Sequence, residues 1–163
     1  MPTISTLYIP ADKGQPVACV HIERGDYDAI YAYTSGFYDV IATHGNEELQ
    51  IFIHGNGKTL ELQPNCRASL LLWYADHRWV NLDHIVGDVL VAGPPDMDGH
   101  TTSLPSDLHD LVFNTNRYRI EILMGHEWRS NTLRFNDYFV ALAASMRNAQ
   151  MLRDARAWRA VRA

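Results

Sequence analysis

Eight histidines, nineteen carboxylates and two cysteines are the side chains here with the chemistry to hold a metal or move a proton. Their spacing argues against either use. The histidines run singly from His21 to His126, with no HxxxH or HExxH pair, and His126-Glu127 lacks the second histidine of such a motif. Cys19 and Cys66 lie in neither a CxxC nor a Cys/His ligand spacing, so free thiols in a reducing compartment are expected. Asp96-Met97-Asp98-Gly99 begins like a calcium loop, but such a loop needs about six oxygen ligands and a glutamate at its twelfth position. The twelfth residue is Asp107, with Thr, Ser and Leu between. An aspartate-rich turn is the expectation, with no metal and no cofactor.

Nucleotide and acyl-transfer signatures are missing: there is no GxGxxG, Walker A or GxSxG pattern. Gly55-Asn56-Gly57 reads as a hairpin turn between strands at 49–53 and 58–62, because no helix follows to offer an anion its N-terminus. Glu47-Glu48 sits in a polar connection where solvation is the expected role. No catalytic residue is assigned, and an enzyme of unknown class is the third-ranked reading.

The elements that would position these side chains belong to a soluble chain. It has 163 residues, 47% hydrophobic and 20% charged, enough to bury a core without a disulfide or metal staple. The longest apolar run is far short of a membrane span and the start lacks a signal peptide's pattern, so a cytoplasmic protein is expected. Strands are expected at 4–9 and 17–22 as an opening hairpin, then a helix begun by Gly25-Asp26 and closed by Gly36 in a left-handed conformation. Residues 37–42 read as a strand. Residues 68–74 fit a strand or a buried helix equally. A buried strand at 85–92 is interrupted by Gly87-Asp88, a polar loop spans 93–104, and a short helix follows at 106–113. Tyr118, Ile120 and Ile122 alternate with Arg119 and Glu121, as in a half-exposed or edge strand. From 136 to 159 the residues favour a long amphipathic helix. The fold expected is α+β, a mixed, mostly antiparallel sheet with short helices and a long C-terminal amphipathic helix. Two regions are expected: an α+β domain at 1–130, and a helical extension at 131–163 packed on it at its start.

The stretch Gln63-Pro64-Asn65-Cys66-Arg67-Ala68 precedes Ile85-Val86-Gly87-Asp88-Val89-Leu90-Val91-Ala92-Gly93, then Asp96, Asp98-Gly99 and Pro105. With Leu7-Tyr8-Ile9-Pro10 and Asp26-Tyr27-Asp28 ahead of Gly36, the order resembles a small domain-of-unknown-function family of actinobacteria and their bacteriophages, over about residues 5–112. The family brings no activity with it. The resemblance implies a phage accessory protein in a host cytoplasm. Asn65, Arg67, Gly87, Asp88, Gly93 and Gly99 carry it, and turns and strand ends explain most of them.

The formal charge is −5, but residues 1–130 carry −9 and residues 131–163 carry +4. Arg153, Arg156, Arg159 and Arg162 recur every third residue, which on a helix wraps half its circumference. With Trp158 they are the candidate partner-binding residues. The first expectation is therefore a non-enzymatic accessory protein that binds a host protein or itself. The second is a small-molecule or nucleotide binder that interferes with host signalling, lined by Asn65, Arg67, Asp96, Asp98 and His100. Nucleic acid ranks fourth, because the acidic body repels a long polyanion.

Overall fold

The computed structural model describes residues 2–163. The chain clusters into two compact units, Met1–Ser106 and Asp107–Ala163. The first holds five basic and thirteen acidic residues, the second nine basic and six acidic.

In the first unit, β1 (Thr3–Ile9) and β2 (Ala18–Glu23) form the expected opening hairpin, with Leu7 opposite Cys19. Helix α1 (Tyr27–Thr34) starts where Asp26 accepts a hydrogen bond from the Ala29 amide at 3.0 Å. The left-handed residue that ends it is Ser35, at φ 63°, and not Gly36. The Gly36 amide still donates back to the Tyr31 carbonyl at 3.1 Å, as helix closures do. A Cβ at 36 would lie 2.5 Å from Nε2 of His54, so any other residue there would push that ring aside.

The strands β3 (Tyr38–Ala42), β4 (Gln50–His54), β5 (Val89–Pro95) and β6 (Thr101–Thr102) complete a sheet of order β2-β1-β5-β4-β3, with β6 on β5. Every pairing among the described residues is antiparallel, so the parallel part of a mixed sheet is not formed. Residues 58–61 are turn, and 58–62 do not form the second arm of a hairpin. β4 already has β3 and β5 as neighbours, which leaves a further strand no edge to join. The amides of Leu60 and Leu62 instead bond back to the Asn56 and Gly57 carbonyls at 2.9 Å.

Register sorts the core into two faces. Leu7, Val91 and Ile51 stand opposite one another on one face, each fully buried. Tyr8, Leu90 and Phe52 line the other, where Ile30 of α1 packs. Helix α2 (Cys66–Ala75) resolves the ambiguous apolar run. Ala68, Leu71, Leu72 and Ala75 are all buried at helical spacing, which a strand could not place on one side.

The second unit holds α3 (Ser106–Phe113), β7 (Tyr118–Met124), β8 (Glu127–Ser130), α4 (Tyr138–Gln150) and β9 (Ala155–Arg162). Its sheet runs β8-β7-β9, so β7 is central, not an edge. The expected long C-terminal helix is corrected here: α4 stops at Gln150 and the chain returns as β9. Pairing with β7 runs from Tyr118 opposite Arg162 to Leu123 opposite Ala157. That ladder outweighs the helical preference of alanine and arginine, worth at most a few tenths of a kcal/mol per residue over ordinary residues. It also places Trp158 and Ala160, both buried, beside Ile122 and Ile120. The β7–β9 ladder joins residues on both sides of position 130. The Tyr118 hydroxyl lies 2.6 Å from the Leu111 carbonyl and 2.9 Å from that of Thr115, fastening α3 to the start of β7. No helix is long and apolar enough to cross a membrane among the described residues.

Candidate functional site

Four of the residues that carry the sequence resemblance, Asn65, Arg67, Gly87 and Asp88, converge at one place in the first unit. Asn65 is 1% exposed and caps α2: its Oδ1 accepts from the Ala68 amide at 3.0 Å. Its Nδ2 donates to the carbonyls of Ile9 and Gly87, each at 2.9 Å. Arg67, two residues on, donates from Nη2 to the carbonyls of Pro10 and Asp12 at 2.7 and 3.1 Å, and its Nε is buried without a hydrogen-bond partner. Gly87 holds φ 77°, and a Cβ there would meet Leu62 at 2.9 Å. Asp88 accepts from the Tyr8 hydroxyl and the Ala11 amide, both at 2.8 Å. Burial, then the Asp88 carboxylate, pushes the Tyr8 phenol up to about 12. This knot joins the end of β1, the start of α2 and the approach to β5. Its side chains are spent on holding backbone.

A family described as Domain of unknown function (DUF3846) matches residues 4–117. The chain belongs to that family. The DUF3846 match spans all of the six-stranded sheet but Thr3, together with α3, and ends one residue before β7. No curated protein and no solved structure matches the chain.

Asp96, Asp98 and His100 sit apart from Asn65 and Arg67 in sequence, in the turn between β5 and β6. Each offers one ligand atom within 4.8 Å of the others. Oδ1 of Asp96 accepts from the amides of Asp98 and His100 at 2.9 Å, and its Oδ2 lies 3.8 Å from the Arg24 guanidinium. The His100 amide first, with the Asp98 amide, holds the Asp96 carboxyl below its ordinary range against burial. The carboxylate closes the turn and already faces a cation.

The arginines of the C-terminal segment part company. Arg153 and Arg156 line an open hollow of about 360 Å³ with Gly125, Asp154 and Ala155. Arg159 bonds Glu121 at 2.8 Å and lies 3.8 Å above the Trp128 ring. Glu121, 9% exposed, also bonds Arg119 at 3.3 Å. Arg162 bonds the Thr115 hydroxyl at 3.1 Å, and Trp158 is buried. Neither cysteine is in a disulfide.

Two features escaped the sequence. One is a cavity of about 230 Å³ in the first unit, where Ile53, His54, Lys58, Asp83, His84 and Val86 meet. His54 Nδ1 accepts from the Asn56 amide at 3.0 Å, and Lys58 pairs with Asp83. Burial would raise the Asp83 carboxyl, but Lys58 and the His84 amide outweigh it and hold it low. The other is an aromatic patch on α1 and the turn after it. Tyr27 is 68% exposed, Tyr31 48% and Phe37 78%, with Phe37 edge-on to Tyr31 at 5.6 Å. Tyr38 stands beside it, its phenol raised by burial and then by Tyr27. Tyr27 and Tyr31 are one helical turn apart, a spacing that fits a helix but does not say which side faces water.

Proposed function

We propose that this chain is a non-enzymatic binding protein, a phage accessory protein acting in a host cytoplasm, whose partner is a host protein or a second copy. The observation that carries the reading is the patch formed by Tyr27, Tyr31 and Phe37. Large aromatic rings exposed side by side mark contact surfaces, and the polar side chains of Asn65, Arg67 and Asp88 are occupied in holding the fold. The test is affinity capture from host lysate with the wild type and with the Tyr31→Ser/Phe37→Ser variant, both verified as folded by circular dichroism. A protein retained by the wild type and lost by the variant supports the reading. Equal recovery by both removes the patch from it.

Small-molecule or nucleotide binding is the second reading. The cavity of about 230 Å³ with His54, Lys58 and His84 supports it, in place of the lining by Asn65, Arg67, Asp96, Asp98 and His100. A thermal-shift screen of nucleotides tests it, since a ligand specific to the native state raises the melting temperature.

A further inference from the structure

Beside the aromatic patch lies an open sheet edge. β3 is the terminal strand of its sheet. The Gly55 amide bonds the Phe37 carbonyl at 2.8 Å and the Thr43 amide bonds the Leu49 carbonyl at 2.9 Å, so residues 37, 39, 41 and 43 spend their backbone groups on the β4 side. Alternation then turns the N–H and C=O groups of Tyr38, Val40 and Ala42 away from the sheet. Sheet edges are ordinarily protected by lysine, proline or a bulge. β3 has no lysine or proline, its register with β4 is continuous, and Val40 is 43% exposed. The segment that carries α1, β3 and β4 is acidic: residues 25–57 include Asp26, Asp28, Asp39, Glu47 and Glu48 and no lysine or arginine.

We infer that β3 accepts an added strand from its partner, an extended segment that alternates apolar residues with lysine or arginine. This deepens the binding-protein reading and rests on it. The three donors and three acceptors of Tyr38, Val40 and Ala42 supply main-chain pairing, as strand addition requires. Alternate apolar side chains of the incoming strand continue the row that Tyr38 and Val40 begin, towards Phe37 and Tyr31. Its basic side chains fall on the opposite face, the side of the exposed Asp39. A second copy pairing β3 with β3 would bring two acidic, lysine-free edges together, which the charge disfavours.

The probe is a synthetic peptide of about nine residues alternating Val and Lys, with a Val/Glu counterpart and a Val/Lys peptide N-methylated at alternate residues, titrated against the full chain by fluorescence anisotropy. The Val/Lys peptide is expected to bind at least about tenfold more tightly than the other two, and Asp39→Lys is expected to erase the Lys-over-Glu preference. Val40→Pro removes an outward N–H without touching the β3–β4 ladder, a position where an edge strand tolerates proline, and should weaken the peptide by a similar factor. If that variant does not fold, the N-methylated peptide decides the same point. Equal binding of the Val/Lys and Val/Glu peptides, unchanged binding after N-methylation, or no binding at all overturns the inference. So does a wild-type dimer in sedimentation that Val40→Pro abolishes without peptide. Loss of the natural partner by Tyr31→Ser/Phe37→Ser, together with a Val/Lys peptide that fails to bind, leaves the binding-protein reading standing and removes strand addition alone.

Discussion

The side-chain amide of Asn65 donates to the main-chain carbonyl of Ile9 across 56 residues of sequence, at 2.9 Å. The same nitrogen reaches the Gly87 carbonyl, so one buried side chain ties the end of β1 to the approach of β5. Asn65→Asp would turn a carboxylate toward two carbonyl oxygens. We expect it to destabilise the protein by about 3–5 kcal/mol, more than Asn65→Ala at about 2–3 kcal/mol. Urea unfolding of the two variants checks the order. Asp equal to or better than Ala would mean the amide's donors do not matter.

Gly87 isolates backbone from sterics. Gly87→Ala meets both a φ of 77° and Leu62 at 2.9 Å. A loss of about 1–3 kcal/mol is expected. Adding Leu62→Ala relieves only the contact, so the double variant should show favourable coupling in a double-mutant cycle while the backbone penalty persists. Strict additivity would show that the Leu62 contact contributes nothing.

Tyr8 and Asp88 give an alkaline signature. The folded phenol titrates at about 12, above an unfolded value of about 10. Its stabilising effect is therefore complete below pH about 10 and lost as pH rises through about 12. Tyr8→Phe should cost about 1–2 kcal/mol at neutral pH, with the gap to wild type closing at the alkaline end. The phenolate absorbance titration of the variant should lack one late-titrating tyrosine.

Asp76 gives the acid counterpart. Its buried carboxylate accepts from Arg78 Nη2 at 2.6 Å and Nε at 2.9 Å, and from the His44 amide at 3.0 Å. The Arg78 bonds, against burial, hold it far below the usual carboxylate range. A depressed folded value means stability that is present above pH about 4 and lost as pH falls through the strongly acid region. Asp76→Asn is expected to cost about 1–3 kcal/mol at pH 7, with the difference from wild type shrinking in acid. A difference that stays constant from neutral to strongly acid pH would show that the ionised form is not what matters.

Ending the chain at Asp154 removes β9, and with it the Arg159 partner of Glu121 and the Trp158 neighbour of Ile122. We expect the second unit to lose amide protection throughout β7 in hydrogen exchange. Native protection there would return the segment to the role of a dispensable tail.

The sequence was most legible where local chemistry agrees with the fold. Asp26 capped α1, the alternation of Tyr118, Ile120 and Ile122 marked a buried strand face, and residues 106–113 formed a helix as expected. It was least legible where pairing across the chain decides. Ala155–Arg162 carries good helix formers and an arginine at every third position, which hid the alternation that buries Trp158 and Ala160. β8 has four exposed residues and only β7 to define it. Of the candidate residues, Asn65 and Arg67 were visible as a motif, but only coordinates show their donors aimed at Ile9, Gly87, Pro10 and Asp12. The aromatic edge was invisible because tyrosines at helical spacing look alike whether they face a core or water.

The Tyr118 hydroxyl, described above as the clasp between α3 and β7, falls one residue past the end of the DUF3846 match, while Leu111 and Thr115 fall inside it. The end of the family match thus runs through a hydrogen bond. A chimera spliced at that border would inherit α3 without the phenol that anchors it. Any replacement for the C-terminal sheet must bring a hydroxyl of its own to that spot, or leave two carbonyls to solvent.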